Sequence, residues 1–230
     1  MGIATAKYVD FNPYKYCSSI YRHFYQAELP ATVIIDFENK CPKTSDAFWE
    51  SFRESTGIET IIIKNLIMPD SGFQMPATFR GSSVKTIYFD NCTIKPTRSD
   101  RCFSCDNIAH IYGPIDMSLI YGNSASAVSD AFYFARKLED VEFVPNSLHK
   151  HISFSGLGSG TYLNDTSFIS IGNAMNANYP DTQSLDSNIY LNRVKAIMGK
   201  NENGLFVADE NGTLSLYDFM TTIKGWTITN

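Results

Sequence analysis

Two cysteines at C-x-x-C spacing offer the most direct chemistry in this sequence. Cys102-Phe-Ser-Cys105 has the spacing of redox and zinc sites. A structural zinc site needs further ligands, and Cys17, Cys41 and Cys92 have no ligand-like partners at regular spacing. Five cysteines are also an odd number, which does not suit a disulfide framework. We therefore expect free, reduced thiols that pack as small apolar side chains.

Two short motifs carry metal-ligating or acid–base side chains. His149-Lys-His151 places two imidazoles on one face of an extended segment, which binds a transition metal only if a third ligand joins them. Asp140 and Glu142 flank Val141, and paired carboxylates can share acid and base work. Nothing in the sequence supplies the third metal ligand or a substrate between the acids. An exposed strand edge and a binding rim are the simpler interpretations.

The glycine-rich stretch Gly156-Leu-Gly-Ser-Gly160 raises the possibility of a phosphate loop or a nucleophile elbow. No Lys-Ser/Thr follows it, and neither Ser155 nor Ser159 satisfies G-x-S-x-G. A turn explains it better. Since no Ser/His/Asp or Cys/His set emerges either, the sequence predicts a protein that is not an enzyme and has no cofactor and no metal site.

Composition excludes several function classes. The chain has 230 residues, 43% hydrophobic and 19% charged, which is enough to bury a sizeable core and excludes disorder as the main state. A net charge of −5 provides no basic field for nucleic acid. No apolar run approaches the roughly 20 residues that span a bilayer. The first ten residues lack the order of a signal peptide, so any export must use another route or a segment outside this sequence.

One pattern recurs along the chain and organises it. A Phe is followed five or six positions later by an aliphatic residue, and after this come two residues, a second aliphatic, one residue and a third apolar position. The first aliphatic anchors are Ile58, Val84, Ile108 and Leu138, with a degenerate fifth copy at Leu148. The end of each unit has the two-residue period of a short strand, and the Phe lies on a returning segment, helical or irregular.

Stacked units bury two continuous rows of side chains, because one unit cannot bury its own apolar face. The predicted first row is Ile61, Ile87, Ile111, Val141 and Ile152, and the second is Ile63, Phe89, Phe143 and Phe154. Gly113 interrupts the second row, so we expect a dent or a kink at the third repeat.

Both ends of the solenoid are expected to carry caps. At the front, a helical spacing of apolar residues precedes a first strand at 32–36; the helical set is Cys17, Ile20, Tyr21, Phe24 and Tyr25. At the back, we expect a helix capped by Asp165 or Thr166 with the apolar stripe Phe168, Ile171 and Met175.

The last forty residues are predicted to continue as a strand, a helix and a strand. The strand lies near 188–191, the helix near 214–224 with Leu216, Met220 and Ile223 inward, and the final extended segment at 226–229. Asn-Gly turns are expected within 199–204 and 209–212.

The residues between the inward positions of each strand must point to the opposite face of the sheet. A row of apolar and aromatic groups on a solvent face suggests a contact site. The predicted binding residues are Ile62, Tyr88, His110, Tyr112, Asp140, Glu142 and Ser153, accompanied by Thr60, Thr86 and His151. The alternative is that a terminal segment folds over this face and buries it.

The repeat unit resembles the BspA-like leucine-rich repeats of bacteria and their phages, which read approximately aromatic-Phe-x-x-Cys-x-x-Leu-x-x-Leu-x-Leu. Residues 130–143 are the closest unit, with Ala135 at the usual Cys, and the unit at 102–108 keeps Cys105 but is one residue shorter. The similarity covers about 48–177 and, more loosely, the last fifteen residues. It implies a binding scaffold without a shared active site, of a kind that accompanies virion or tail genes in prophages.

Taken together, the sequence predicts an α/β fold: a short leucine-rich-repeat solenoid of about four to six repeats with helical caps. We expect an N-terminal cap and first strand at 1–47, repeats at 48–160 and a C-terminal cap at 161–230. The expected function is assembly of a phage or prophage particle, or attachment to a host-surface protein or glycan, on a virion or extracellular surface. The alternatives are a bacterial cell-surface adhesion module and a cytoplasmic adaptor that sequesters a host protein. Neither nucleic-acid binding nor membrane insertion is expected.

Overall fold

The computed structural model describes residues 8–11, 20–42, 44–120, 131–150, 162–185 and 188–229. The strands are β1 Tyr8–Phe11, β2 Thr32–Lys40, β3 Thr60–Leu66, β4 Phe73–Gln74, β5 Thr86–Asp90, β6 Pro96–Arg98, β7 His110–Tyr112, β8 Thr182–Ser184, β9 Met198–Glu202, β10 Leu205–Ala208, β11 Leu214–Ser215 and β12 Thr227–Thr229. The helices are α1 Asp165–Ala174, α2 Asn188–Ala196 and α3 Leu216–Asp218, which continues as a π-helical turn at Phe219–Ile223.

Five of the described strands form one parallel sheet in the order β1-β2-β3-β5-β7. Thr32 pairs with Thr60, Thr60 with Thr86, and Thr86 with His110, so that equivalent residues of successive coils lie side by side. A further parallel bridge joins His110 to Asp140. The chain is therefore a parallel-strand solenoid.

The inward positions of the strands build the core, as the two-residue period predicts. Ile61, Ile87 and Ile111 lie in register and are buried, and Val33 of β2 adds a further buried member. In the second row Ile63 pairs with Phe89. The predicted members Val141 and Phe143 are buried in the next coil, whereas Ile152 and Phe154 lie outside the described residues.

The returning segments of the coils are successions of tight turns, with no helix among the described residues before 165. In four successive coils the backbone N–H of a Phe donates to a carbonyl of the following coil, as from Phe52 to Thr78 O at 2.8 Å and from Phe79 to Cys102 O at 2.8 Å. This pairing stacks the rings face to face, with centroid distances of 5.7 Å from Phe52 to Phe79 and 5.0 Å from Phe103 to Phe132. The Phe residues of successive repeats thus form a second buried row, opposite the sheet, which we call the buried spine.

The helix predicted at the front is wrong over its described part, because residues 20–26 form turns. Ile20 and Phe24 are buried, as the helical spacing required, but Arg22 and Gln26 have φ of 49° and 54°, which no right-handed helix tolerates. The N–H of Arg22 donates to Trp49 O of the next coil instead of to a carbonyl four residues earlier, as a helix would require. Pairing between coils therefore overrides the local helical spacing. Cys17 lies outside the described residues.

The irregularity expected at Gly113 is present, and its cause is a two-residue shift. Gly113 has φ of 98°, and a Cβ there would lie 2.5 Å from Phe89 O. Strand β7 ends at Tyr112, and it is Ile115, not Gly113, that bridges to Phe143 in the second row. Ile115 is fully buried. Ile115 therefore fills the inward position of the second row in place of Gly113, while the backbone at 113–114 bulges.

Helix α1 lies against the last coil and completes its backbone hydrogen bonding. The N–H of Val141 donates to Ser167 Oγ at 3.0 Å, and that of Phe143 to Ser170 Oγ at 2.8 Å. The predicted helix and its buried Phe168 and Ile171 are confirmed, but the N-cap is the preceding residue. Asn164, rather than Asp165 or Thr166, accepts from the N–H of Ser167.

The C-terminal segment departs from prediction in two places. The strand expected near 188–191 is helix α2, because Tyr190 and Val194 are buried one helical turn apart. Ile223, expected inward, is 40% exposed, and Lys224 is buried instead with its Nζ donating to Asn146 Oδ1 at 2.6 Å. The hairpin of β9 and β10 and the final strand β12 follow the predicted turn and extended segment.

We predict that Ile87→Ala lowers the free energy of unfolding by about 2–5 kcal/mol, because the lost side chain is fully buried between two neighbours in its row. Thermal unfolding followed by circular dichroism measures this change, and the transition should stay single. Lys85→Ala, at an exposed ion pair on the same coil, is the control and should change stability by less than about 0.5 kcal/mol. Two separated transitions would contradict a cooperative solenoid.

A matched pair of glycines tests the bulge. Gly113 and Gly204 both have positive φ, but a Cβ at Gly204 meets nothing within 4 Å. Gly204→Ala should therefore cost only the left-handed backbone penalty of about 1–2 kcal/mol. Gly113→Ala should cost more, because the new Cβ also meets backbone. Equal losses of stability in urea unfolding would show that the close approach to Phe89 O is unimportant.

Candidate functional site

The outward positions of the sheet bring an aliphatic residue and two tyrosines into one line. Ile62 pairs with Tyr88 and Tyr88 with Tyr112, because β3, β5 and β7 run in register. Ile34 of β2 pairs with Ile62 and extends the line. We call the side chains of Ile62, Tyr88 and Tyr112 the aromatic row.

The two tyrosines of the aromatic row stack on each other and remain accessible. Their ring centroids are 5.0 Å apart with an interplanar angle of 26°. Tyr88 is 39% exposed and Tyr112 is 40% exposed, whereas Ile62 is half-buried. Rigid rings with exposed edges and hydroxyls offer contact area at a small entropic cost.

A cavity of about 330 Å³ opens beside the aromatic row. Its lining residues are Ile62, Tyr88, Phe89, Asp90, Asn91, Tyr112 and Gly113. The bulge at Gly113 forms one wall without a side chain. At the rim, Asn91 Nδ2 donates to Asn65 Oδ1 at 3.1 Å, and Asn65 Nδ2 donates to Asp36 Oδ1 at 3.0 Å. The floor is apolar and the rim is polar, as in sites that bind and orient a ligand.

A charged cluster lies at one end of the aromatic row. His110 Nδ1 is 2.6 Å from Asp140 Oδ2, and the His110 ring stacks on Tyr112 with centroids 5.7 Å apart. Asn164 Nδ2 donates to the other oxygen of Asp140. Desolvation, followed by the negative charge of Asp140, raises the pKa of Tyr112. The hydroxyl of Tyr112 therefore stays protonated, and Asp140 is a hydrogen-bond partner of that hydroxyl.

The structure thus brings together Tyr88, Tyr112, His110 and Asp140 of the predicted set, with Ile62 in the same row. Glu142 is an exposed side chain on the same segment as Asp140, and its carbonyl accepts from Ile115 N–H. Asp140 is hydrogen-bonded to His110. Asp140 and Glu142 are therefore not two carboxylates that interact only with each other, as shared acid–base work would require. Ser153 and His151 lie outside the described residues.

Sequence reasoning missed four residues around the site: Ile34, Asn91, Glu139 and Asn164. Ile34 follows from the alternation of the predicted strand at 32–36, which places it on the outer face. Asn164 precedes a predicted helix and has the residue type of an N-cap. Glu139 carries no comparable signal. A ligand atom of its side chain lies within 4.8 Å of one of His110, and this proximity depends on the pairing of two coils.

The C-x-x-C pair is interior. Cys102 and Cys105 are both buried, and desolvation raises the pKa of each thiol. Cys105 Sγ donates to Ser82 O at 2.9 Å. A buried, protonated thiol is a poor nucleophile and a poor ligand. Burial also raises the pKa of Cys92, to about 11.

His149 of the His-Lys-His motif packs on Tyr179, with ring centroids 4.3 Å apart, and its Nε2 lies 3.2 Å from Asn176 Nδ2. Desolvation lowers the pKa of His149, so it is neutral at physiological pH. Its partner His151 and the glycine stretch at 156–160 lie outside the described residues.

On the side of the solenoid where the turns lie, the buried carboxylate of Glu50 holds two arginine side chains. Glu50 accepts from Arg22 Nε at 2.5 Å and from Arg53, and its side chain is 8% exposed. Burial pushes its pKa upward, but the hydrogen bonds from Arg53 and Arg22 outweigh that effect and hold the pKa of Glu50 below its usual range. The bond from Arg22 joins one coil to the next, and the bond from Arg53 lies within a single coil.

A second cavity, of about 600 Å³, lies in the C-terminal segment between α1, α2 and the β9–β10 hairpin. Its apolar lining includes Ile169, Ile197 and Met198. The cation on its rim, Arg193, is already bound to Asp165 at 2.5 Å. This cavity is larger than the one beside the aromatic row, but Arg193 is paired with Asp165 and there is no comparable exposed aromatic pair among the lining residues.

No family model, curated protein or solved structure matches this chain. Its class, a parallel-strand solenoid, therefore rests on its own register and packing. Among the described helices, none combines the length and the apolar character needed to cross a bilayer.

We predict that Glu50 contributes to acid sensitivity. A carboxyl whose pKa is depressed in the folded state stabilises above its unfolded pKa, and this contribution is lost as pH falls through the folded pKa. The free energy of unfolding should therefore fall between about pH 5 and pH 3, and Glu50→Gln should make that fall shallower. Glu59→Gln, which breaks the exposed pair with Lys85, controls for the loss of one surface charge. Identical pH profiles for wild type and Glu50→Gln would contradict this role.

Proposed function

We propose that this protein is a non-enzymatic interaction module that binds its partner through the aromatic row. The observation that carries the proposal is the exposed, stacked pair of Tyr88 and Tyr112 beside an open cavity. Exposed aromatic pairs of this kind are unusual on a solvent-exposed face that binds no partner. Tyrosine is enriched at contact sites for proteins and for sugars.

The non-enzymatic part of the proposal is supported by where the reactive residue types lie. Cys102 and Cys105 are buried with raised pKa, and Asp140 is engaged by His110 and Asn164. The chemistry exposed at the cavity is aromatic, amide and carboxylate, which suits recognition better than bond cleavage.

We further propose that the solenoid is a leucine-rich repeat of the BspA-like kind. The steps between paired coils, from 24 to 30 residues, largely overlap the roughly 20–29 residues of leucine-rich repeats. The position after the Phe that is Cys in that family is a small buried residue in successive coils: Ser55, Ser82, Cys105 and Ala135. The contacts of α1 with the edge of the last coil support a capping role for that helix.

For the biological setting we propose a phage or prophage particle, in which the protein serves assembly or attachment to a host-surface protein or glycan. The resemblance of the repeat unit to prophage-encoded proteins supports this setting. The alternatives are a bacterial cell-surface adhesion module and a cytoplasmic adaptor. Neighbouring portal, tail or capsid genes favour the first, and a signal peptide in the full-length gene favours the second.

The experiment begins with a partner obtained by pull-down from host lysate and purified virions, read by mass spectrometry, and then titrates that partner against variants. The double change Tyr88→Ala and Tyr112→Ala should weaken binding by about 2–4 kcal/mol, because both rings would lose their contact area. It should disturb folding far less than Ile87→Ala, since both rings lie on the outer face.

Tyr179→Ala is the matched control, because Tyr179 is 52% exposed and does not belong to any strand of the five-stranded sheet. It should leave binding unchanged, and circular dichroism should show that each variant is folded. Unaltered binding by the folded double variant would move the site off the aromatic row.

A further inference from the structure

Three side chains with metal-ligating atoms converge at the end of the aromatic row. One ligand atom each from His110, Glu139 and Asp140 lies within 4.8 Å of the other two. Of these, His110 Nδ1 and Asp140 Oδ2 are 2.6 Å apart. We propose that these three residues bind a divalent transition-metal cation, with Zn²⁺ as the reference ion.

The pairing of two coils creates this convergence. His110 of β7 bridges in parallel to Asp140, thirty residues further along the chain. The backbone N–H groups of Glu139 and Asp140 both donate to Ala109 O, at 2.8 and 3.2 Å, which holds the two acids beside the start of β7. The backbone therefore positions all three ligands, and only side-chain rotation remains to close the site.

The separations suit a metal ion after a small adjustment. Zn²⁺ binds imidazole nitrogen and carboxylate oxygen at about 2.0–2.2 Å, so neighbouring ligand atoms around it are roughly 3–3.5 Å apart. The His110–Asp140 contact must lengthen slightly as the cation replaces their hydrogen bond, and the exposed side chain of Glu139 must rotate inward from a separation of up to 4.8 Å. His110 and Asp140 are half-buried and Glu139 is exposed, which leaves the remaining coordination positions to water.

An outer partner already orients one ligand. Asn164 Nδ2 donates to Asp140 Oδ1, which leaves Oδ2 directed at His110. Asn164 is itself fixed, since its Oδ1 accepts from Ser167 N–H at 2.8 Å and its N–H donates to Glu139 O at 3.0 Å. Oriented carboxylates of this kind are typical of metal sites, where the outer hydrogen bonds limit ligand motion.

The donor set selects the class of cation. One imidazole nitrogen with two carboxylate oxygens suits Zn²⁺ and its first-row neighbours, whereas Ca²⁺ and Mg²⁺ prefer sites made of oxygen alone. Two carboxylates also neutralise the charge of a divalent ion. We therefore expect Zn²⁺ to bind and Ca²⁺ and Mg²⁺ to bind far more weakly.

The test is isothermal titration of the full chain, freed of metal with a chelator, with zinc, calcium and magnesium chlorides. Glu139→Gln should weaken zinc binding at least about tenfold, which is the lower end of the effect of removing even an outer partner. His110→Gln should weaken it further, because the nitrogen ligand is lost. Glu59→Gln is the matched control: Glu59 is an exposed carboxylate at the equivalent position of an earlier coil, where its N–H donates to Ala31 O as that of Glu139 donates to Ala109 O, and its loss should leave affinity unchanged.

Glu139 is exposed, so its variant should fold, and circular dichroism checks this for every variant. The proposal is overturned if wild type binds no zinc, if His110→Gln and Glu139→Gln bind it as tightly as wild type, or if calcium binds as tightly as zinc. The titration uses the chain and the metal alone. Its failure would therefore leave the proposed partner binding by the aromatic row untouched.

Discussion

The hydrogen bonding between neighbouring coils is the constraint on which the rest of this structure depends. On one side it is the parallel strand ladder, and on the other it is the series of bonds from each Phe N–H to the next coil. Strand pairing sets a spacing of about 4.8 Å, and side chains at equivalent positions must stack at nearly that distance. The centroids of Phe103 and Phe132 and those of Tyr88 and Tyr112 are both 5.0 Å apart. The buried spine and the exposed pair are therefore two consequences of one spacing.

The candidate site lies where this regularity is interrupted. At Gly113 the chain leaves the ladder for two residues, and Ile115 resumes the buried row. The interior remains filled, so the interruption changes only the outer face, where it opens the cavity beside Tyr112. A regular array offers the same shape at every coil. The bulge makes the third coil differ in shape from its neighbours, and Gly113 lines the cavity there without a side chain.

The end of the sheet is a liability in any solenoid, because the last strand presents unpaired backbone groups. Here the hydroxyls of Ser167 and Ser170 accept from the N–H groups of Val141 and Phe143. Ser167 Oγ also donates to Glu139 O at 3.0 Å. The same contacts place Asn164 against Asp140. The edge of the sheet and the charged cluster beside the aromatic row are thus held by one short helical segment.

The sequence by itself determined the solenoid and the two faces of its strands. The recurring anchors and the two-residue period assign Ile87 and Ile111 inward and Tyr88 and Tyr112 outward, because alternation is a property of the extended backbone and needs no tertiary information. The repeat steps then align the tyrosines of successive units. These two inferences were enough to locate the aromatic row.

The tertiary structure decided the features in which contacts between coils outweigh local preference. Residues 20–26 have a helical spacing of apolar side chains but form turns, since alternate N–H groups of this segment, those of residues 20, 22, 24 and 26, bond to the next coil. Residues 188–191 have the composition of a strand but belong to a helix, because Tyr190 and Val194 bury one face together. Convergence of His110 with Glu139 and Asp140 likewise requires two coils to pair across thirty residues. No local pattern encodes such a distance, because it arises only when the chain has closed a full turn.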